Sequence, residues 1–268
     1  MNAPAFSVLG ADVYVEGQGA QTLVMIHGWP DTYRLWDSTV LALQGQYRCV
    51  RFTLPGFEGP RQGNARTLAD ITALLLAIVD EASPDQPVTL VLHDWGCLFG
   101  YELAARHPDR VNRIVGLDIG DATSPDFLRS LSLVHKLMIA FYQLWLATAW
   151  GVGRYVSGAV GDAMTRFMAR AMRCPAPPES IRWFMNFPYA MAWLGVGGGL
   201  RGVMRFTPHC PMLFVYGKCK LFMFHSGRWL ERLNTAPGSK AVGLSSGHWL
   251  TADCPAELAA LLDGWLAQ

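Results

Sequence analysis

A single carboxylate stands where an apolar strand turns into a helix. The stretch VLHDWGCLFG (91–100) places Asp94 directly after the run VTLVL and before a helix-like segment. A buried, unpaired charge is costly, and a turn at a helix N-terminus is one place where an anion is favoured. Two uses of Asp94 are therefore open: an ordinary N-cap of the following helix, or a reactive carboxylate lifted above the end of a strand by a tight strand–turn–helix. A second stretch, MIHGWP (25–30), also follows a strand. Its Trp29 N–H and the N–H of Trp95 can face one point and hold an oxyanion. SSGHWL (245–250) puts His248 in a loop just after the last strand, either as a structural histidine or as a general base. Asp118, ending RIVGLD, lies between them in the chain at a strand end, where an Asp turn residue is common.

These residues need a frame to bring them together. Short β-branched runs recur at TLVMI (22–26), YRCVRF (47–52), VTLVL (88–92), RIVGLD (113–118), PMLFVY (211–216) and KAVGL (240–244). Helical patterns at 67–82, 97–107 and 226–234 lie between them, which predicts a mainly parallel sheet covered on both faces. SVLGADVYVEG predicts an antiparallel hairpin at its edge. From about Thr123 to Phe206 the strands give way to aromatic and Met-rich helical stretches, so the reading is a core of residues 1–123 and 206–268 with a helical cap over 124–205. Pro188 and GVGGGLRG (195–202) would connect that cap.

Composition narrows the function. Hydrophobic residues make up 51% of the 268, charged residues 16%, and the net charge is +1. That excludes a disordered chain and a nucleic-acid binder and leaves a small apolar substrate as the expected partner. The six cysteines have neither disulfide nor zinc-site spacing, so no metal and no cofactor is expected. The start of the chain carries neither a basic nor an apolar signal region, which predicts a cytoplasmic protein. LMIAFYQLWLATAWGVG (137–153) approaches the length of a membrane span, but Gln143 and Thr148 interrupt it. It is expected to be a helix buried on most sides or lining an apolar cavity, with a membrane-associated face as the lesser alternative. A homodimer is compatible with all of this.

HGWPDTYRLWD, TLPGFEG (53–59), LHDWG, RHPDRV and the late GHW together resemble the α/β-hydrolase fold, in the branch of epoxide hydrolases and haloalkane dehalogenases. The resemblance implies an Asp nucleophile. A carboxylate with a pKa near ~4 is charged at neutral pH and can attack a saturated carbon to give an ester on Asp94. His248 would then activate water against that ester, with the N–H groups of Trp29 and Trp95 holding the oxyanion.

The sequence departs from that family at the orienting acid. Lys220, three residues past Gly217, occupies the usual position of the acid. The family's alternative position corresponds to Asp118, with Asp121 in reserve. Epoxide opening also implies cap donors for the leaving alkoxide, for which Tyr189 and His135 are the expected pair, with Tyr142 in reserve as a wall of the substrate site beside Trp29 and Trp95. Haloalkane dehalogenation is the alternative. It fits Trp95, but Trp29 replaces the Asn that many dehalogenases carry in the HGNP motif. Lys220 also motivates a third reading, a non-catalytic ligand-binding homologue.

Overall fold

The computed structural model of the chain describes residues 3–59 and 67–268; positions 1–2 and 60–66 of the expected core lie outside the described residues. Eight strands form one sheet: β1 (Phe6–Val8), β2 (Ala11–Glu16), β3 (Thr22–Ile26), β4 (Arg48–Phe52), β5 (Val88–His93), β6 (Val111–Leu117), β7 (Met212–Gly217) and β8 (Lys240–Leu244), in the order β1-β2-β4-β3-β5-β6-β7-β8. The first two strands make the expected antiparallel edge, and every pairing from β4 to β8 is parallel. The inner strands read as unbroken apolar runs because both faces are covered. Along β5, for example, Leu90 and Leu92 enter one core while Val91 between them enters the other.

The helices that provide this cover are α1 (Asp37–Leu43), α2 (Leu68–Ala82), α3 (Trp95–Arg106), α4 (Pro125–Ser130), α5 (Leu133–Tyr155), α6 (Gly158–Ala171), α7 (Phe187–Leu194), α8 (Gly227–Thr235), α9 (Leu250–Asp253) and α10 (Pro255–Leu266). Trp36, Leu43, Leu258 and Leu262 fill one face; Leu74, Leu75, Phe99 and Trp229 fill the other. Each such side chain is worth ~1.5–3 kcal/mol of burial. Side-chain caps start many of these helices: Thr67 and Asp70 form a reciprocal capping box on α2, and Ser124, Ser132, Ser157 and Ser226 cap α4, α5, α6 and α8.

Between β6 and β7 the described residues contain helices α4 to α7 and no strand. One expectation is corrected here. The segment 137–153 is part of α5, but that helix is clamped on one side only, where Gly153 lies against Trp183 and Gly161. Leu146, Ala147, Ala149 and Trp150 are buried, whereas Leu133, Leu137 and Phe141 are 72%, 61% and 61% exposed. No helix among the described residues is long and apolar enough to cross a membrane.

Candidate active site

The parallel register gathers the candidate residues at the carboxyl ends of the strands, where ligands bind in open α/β sheets. Ile26 pairs with Leu92, and His93 pairs with Leu117, so Trp29, Asp94 and Asp118 all emerge at one edge. Asp94 is the residue between β5 and α3, with φ 52° and ψ −124°. A non-glycine residue at positive φ is strained, and this strain marks a tight turn presenting one side chain. Asp94 makes no side-chain cap bond to α3, so the N-cap alternative does not describe it. Two glycines make room for the turn. A Cβ on Gly28 would stand 2.3 Å from Asp94 Oδ1 and 2.5 Å from Trp95 N, and one on Gly96 would stand 2.2 Å from the Ile26 carbonyl oxygen.

Trp29 N–H donates to Asp94 Oδ1 at 2.6 Å. The other oxygen, Oδ2, lies 3.5 Å from His248 Nε2, and the opposite side of that ring, Nδ1–H, donates to Asp118 Oδ2 at 2.6 Å. Asp94, His248 and Asp118 are thus in line. Asp118 is fully buried, and its remaining oxygen accepts from Gly217 N–H at 3.1 Å and from the Lys220 ammonium. Lys220, at the position where the family's acid was expected, pairs instead with Asp118, the carboxylate that reaches the site from β6. Asp121 points elsewhere, accepting from Ser226 N–H and from the hydroxyls of Ser226 and Ser124, so it secures α8 and α4.

The electrostatics follow from this line. Burial would raise the Asp94 carboxyl, but His248 and the Trp29 N–H outweigh it and hold Asp94 below its ordinary range. Burial opposes the charge on Asp118 too, yet His248 and Lys220 bring that group down to about 2. Burial would depress His248; its hydrogen bonds to Asp118 and Asp94 instead raise it to about 9.

Two further histidines hold the loops rather than react. His27 accepts Leu54 N–H at Nε2 (2.9 Å) and donates from Nδ1 to the Gly28 carbonyl (2.9 Å); His93 donates from Nε2 to the His248 carbonyl at 3.1 Å. Burial pushes both down to about 4, so both are neutral. The His248 loop is tied from the other side by Asp253, which accepts from Gly247 N–H and the Ser246 hydroxyl.

Above Asp94, Tyr189 is 2% exposed and edge-on to Trp95 (5.1 Å), Trp29 (5.8 Å) and Tyr142 (6.2 Å). Burial and then the Asp94 charge push the Tyr189 phenol well up, and a polar contact from Trp95 offsets part of that. Burial likewise raises Tyr142, which also feels Asp94 and accepts from Gln143 Nε2 at 3.1 Å. His135 is not brought to this point. It lies seven residues before Tyr142, about 10 Å along the helix, with its ring against Phe222 at 5.6 Å. Tyr142, not His135, is the neighbour of Tyr189.

Some residues at the site gave no warning in the sequence. Asn186, fully buried, accepts the Trp29 indole N–H at 2.7 Å and donates to Thr165 at 2.7 Å. Asp31 accepts from the Trp249 indole at 3.1 Å; burial, with the Asp94 charge beside it, raises it to about 7. Among the described residues no group of three His, Cys, Asp or Glu could hold a metal ion.

Residues 21–203 match the family described as alpha/beta hydrolase fold. Among curated relatives, "Probable oxidoreductase EphD" of Mycobacterium tuberculosis is 33% identical over 120 residues, 43% of this chain and 20% of that protein. "Epoxide hydrolase 2" of Siraitia grosvenorii is 30% identical over 177 residues, 64% of this chain and 56% of that protein. The chain therefore spans a fifth of the first relative and just over half of the second. A solved structure of a Bacillus megaterium epoxide hydrolase with an inhibitor superposes with a TM-score of 0.68 over 98% of this chain and 99% of that one, at 16% identity.

Proposed function

This chain belongs to the alpha/beta hydrolase fold family, and on that footing we propose that it opens an apolar epoxide to a diol through an ester on Asp94, needing no cofactor. The observation that carries this reading is the pair of phenols, buried Tyr189 and partly buried Tyr142, which meet edge-on and both feel the charge of Asp94. An epoxide carbon sits between the carboxylate and these donors.

The steps follow from the geometry. Oδ1 of Asp94 is held by Trp29 N–H, which leaves Oδ2 to attack. The new Oδ2–carbon bond forms as the ring carbon–oxygen bond breaks, and a phenol gives its proton to the alkoxide. Ester formation removes the Asp94 charge. That loss lowers the pKa of the two tyrosines, which the charge had raised, and of His248, which the same charge had helped to hold near 9. With that support gone, His248 gives its proton back to the phenolate left by ring opening and is then the base that takes a proton from water, and the hydroxide attacks the ester carbonyl carbon. Trp29 N–H and Trp95 N–H receive the oxyanion, and collapse releases the diol and restores the carboxylate.

Halide chemistry fits less well. The Trp29 indole N–H, a donor that could cradle a leaving halide, is engaged by Asn186. The helical segment 124–205 acts as the cap that supplies the phenols.

The test is His248→Gln, which should still alkylate and then stall. Intact mass spectrometry with epoxides and haloalkanes reads the reaction. An adduct of the full epoxide mass, absent when Asp94→Asn is added, is expected. A haloalkane adduct lacking hydrogen halide would move the assignment to a dehalogenase. A folded variant that acquires no adduct from a broad panel would indicate a binding protein.

A further inference from the structure

The outer face of α5 has no partner in the structure, and its chemistry is specific. Leu133, Leu137, Phe141 and Leu144 recur at the four-, four- and three-residue steps that put side chains on one stripe, and all are exposed. The stripe continues onto neighbouring segments. Trp193, 41% exposed, is fastened to the helix by its indole N–H, which donates to Gln143 at 2.8 Å. Leu221, 75% exposed, sits next to Phe222, whose ring meets His135 in the first turn of α5. Contiguous apolar surface of this kind marks a contact site in a monomeric protein.

Charge selects the partner. The segment 124–205 carries nine Lys and Arg against three Asp and Glu, a balance of +6, in a chain whose total is +1. The remainder of the chain is therefore −5. No acidic residue occurs between Asp126 and Asp162, the stretch that contains all of α5, and Lys136 is exposed among the leucines. A second copy meeting this face across a two-fold axis would bring together two helices that each carry Lys136 and Arg154 and no acidic residue. An anionic lipid surface meets both features at once, taking the apolar side chains at the headgroup–acyl boundary and the cations among the phosphates.

We propose that the α5 face docks the protein peripherally on anionic lipid bilayers, with α5 lying in the plane of the interface. This differs from a spanning helix, which the structure excludes among the described residues, and it takes up the lesser of the readings the sequence offered for this segment. The same helix turns Tyr142 inward, so docking brings the acyl phase, where an apolar molecule concentrates, alongside the element that faces Asp94.

The experiment is co-sedimentation of the full chain with vesicles of phosphatidylcholine alone and of phosphatidylcholine with phosphatidylglycerol, at low and high salt. The wild type should pellet with the anionic vesicles, and less so as salt rises. Leu137→Ser/Phe141→Ser should lose at least about tenfold in vesicle affinity while keeping its circular dichroism and melting temperature. Lys136→Glu, which alters no apolar contact, should weaken the anionic binding alone. No pelleting of the wild type, or equal pelleting with neutral vesicles, would overturn the proposal. A concentration-dependent dimer that forms without vesicle binding and is abolished by the double variant would overturn it in favour of a second copy.

Discussion

Lys220 and His248 share Asp118, the ammonium on one carboxylate oxygen and Nδ1–H on the other, the latter at 2.6 Å. A cation at the customary acid position is thus the counter-charge of the carboxylate proposed to replace that acid. Burial opposes the charge on Lys220, and Asp118 restores it. Removing Asp118 would leave the Lys220 ammonium buried without its partner, whereas removing Lys220 leaves Asp118 still held by His248.

Lys220→Met should raise the basicity of His248, because a cation next to its carboxylate partner is gone. The pH profile of ester hydrolysis should move its lower limb upward by ~0.5–1 unit. Single-turnover decay of the Asp94 ester, followed from pH 6 to 10, measures this. An unmoved limb would mean that Lys220 serves packing alone.

Asp118→Asn should leave the first half-reaction nearly intact and slow ester decay by ~10³–10⁴-fold, as expected when the imidazole loses its orienting carboxylate. The ester should then accumulate in wild-type-like amounts per site. Rapid decay in this variant would remove Asp118 from the assigned role.

Tyr189→Phe should slow ester formation by ~10²–10⁴-fold, and Tyr142→Phe should do so to a comparable or smaller extent. Quench-flow alkylation of each variant and of the double variant separates the two donors. Equal rates for the double variant and the wild type would exclude a phenol as the acid.

Asp31 gives a pH-dependent stability with a definite sign. Its folded-state pKa of about 7 lies above that of the unfolded chain. The folded protein therefore binds the extra proton between about pH 4 and 7, and stability falls as pH rises through that window. Asp31→Asn, which still accepts the Trp249 indole, should be neutral near pH 4 and stabilising at pH 8, by up to about 4 kcal/mol. Denaturant midpoints at the two pH values decide it.

Much of this was legible in the chain. The strands were readable because buried parallel strands are continuous apolar runs, and Asp94 was readable because a carboxylate interrupts one of them. Asp118 was reached through the family resemblance, whose alternative acid position it matches where GKCK offers no acid. What Lys220 does instead was not legible, since the ion pair joins residues 102 positions apart through the β6–β7 register. Tyr142 and His135 share one face of α5, so periodicity could not rank them; only the axial position of Tyr189 does. Asn186 and Asp31 look like ordinary polar residues until burial shows which indole each one serves.

Trp29 belongs to two structures at once. Its N–H holds Asp94 at 2.6 Å, and its indole donates at 2.7 Å to Asn186, a fully buried residue of the helical segment that is itself tied to Thr165. On the proposed function, lifting that segment to admit substrate would break the indole bond or draw the amide off the carboxylate. The proposed anion hole would then be complete only when the roof is down, and turnover would inherit the frequency with which the roof opens and settles.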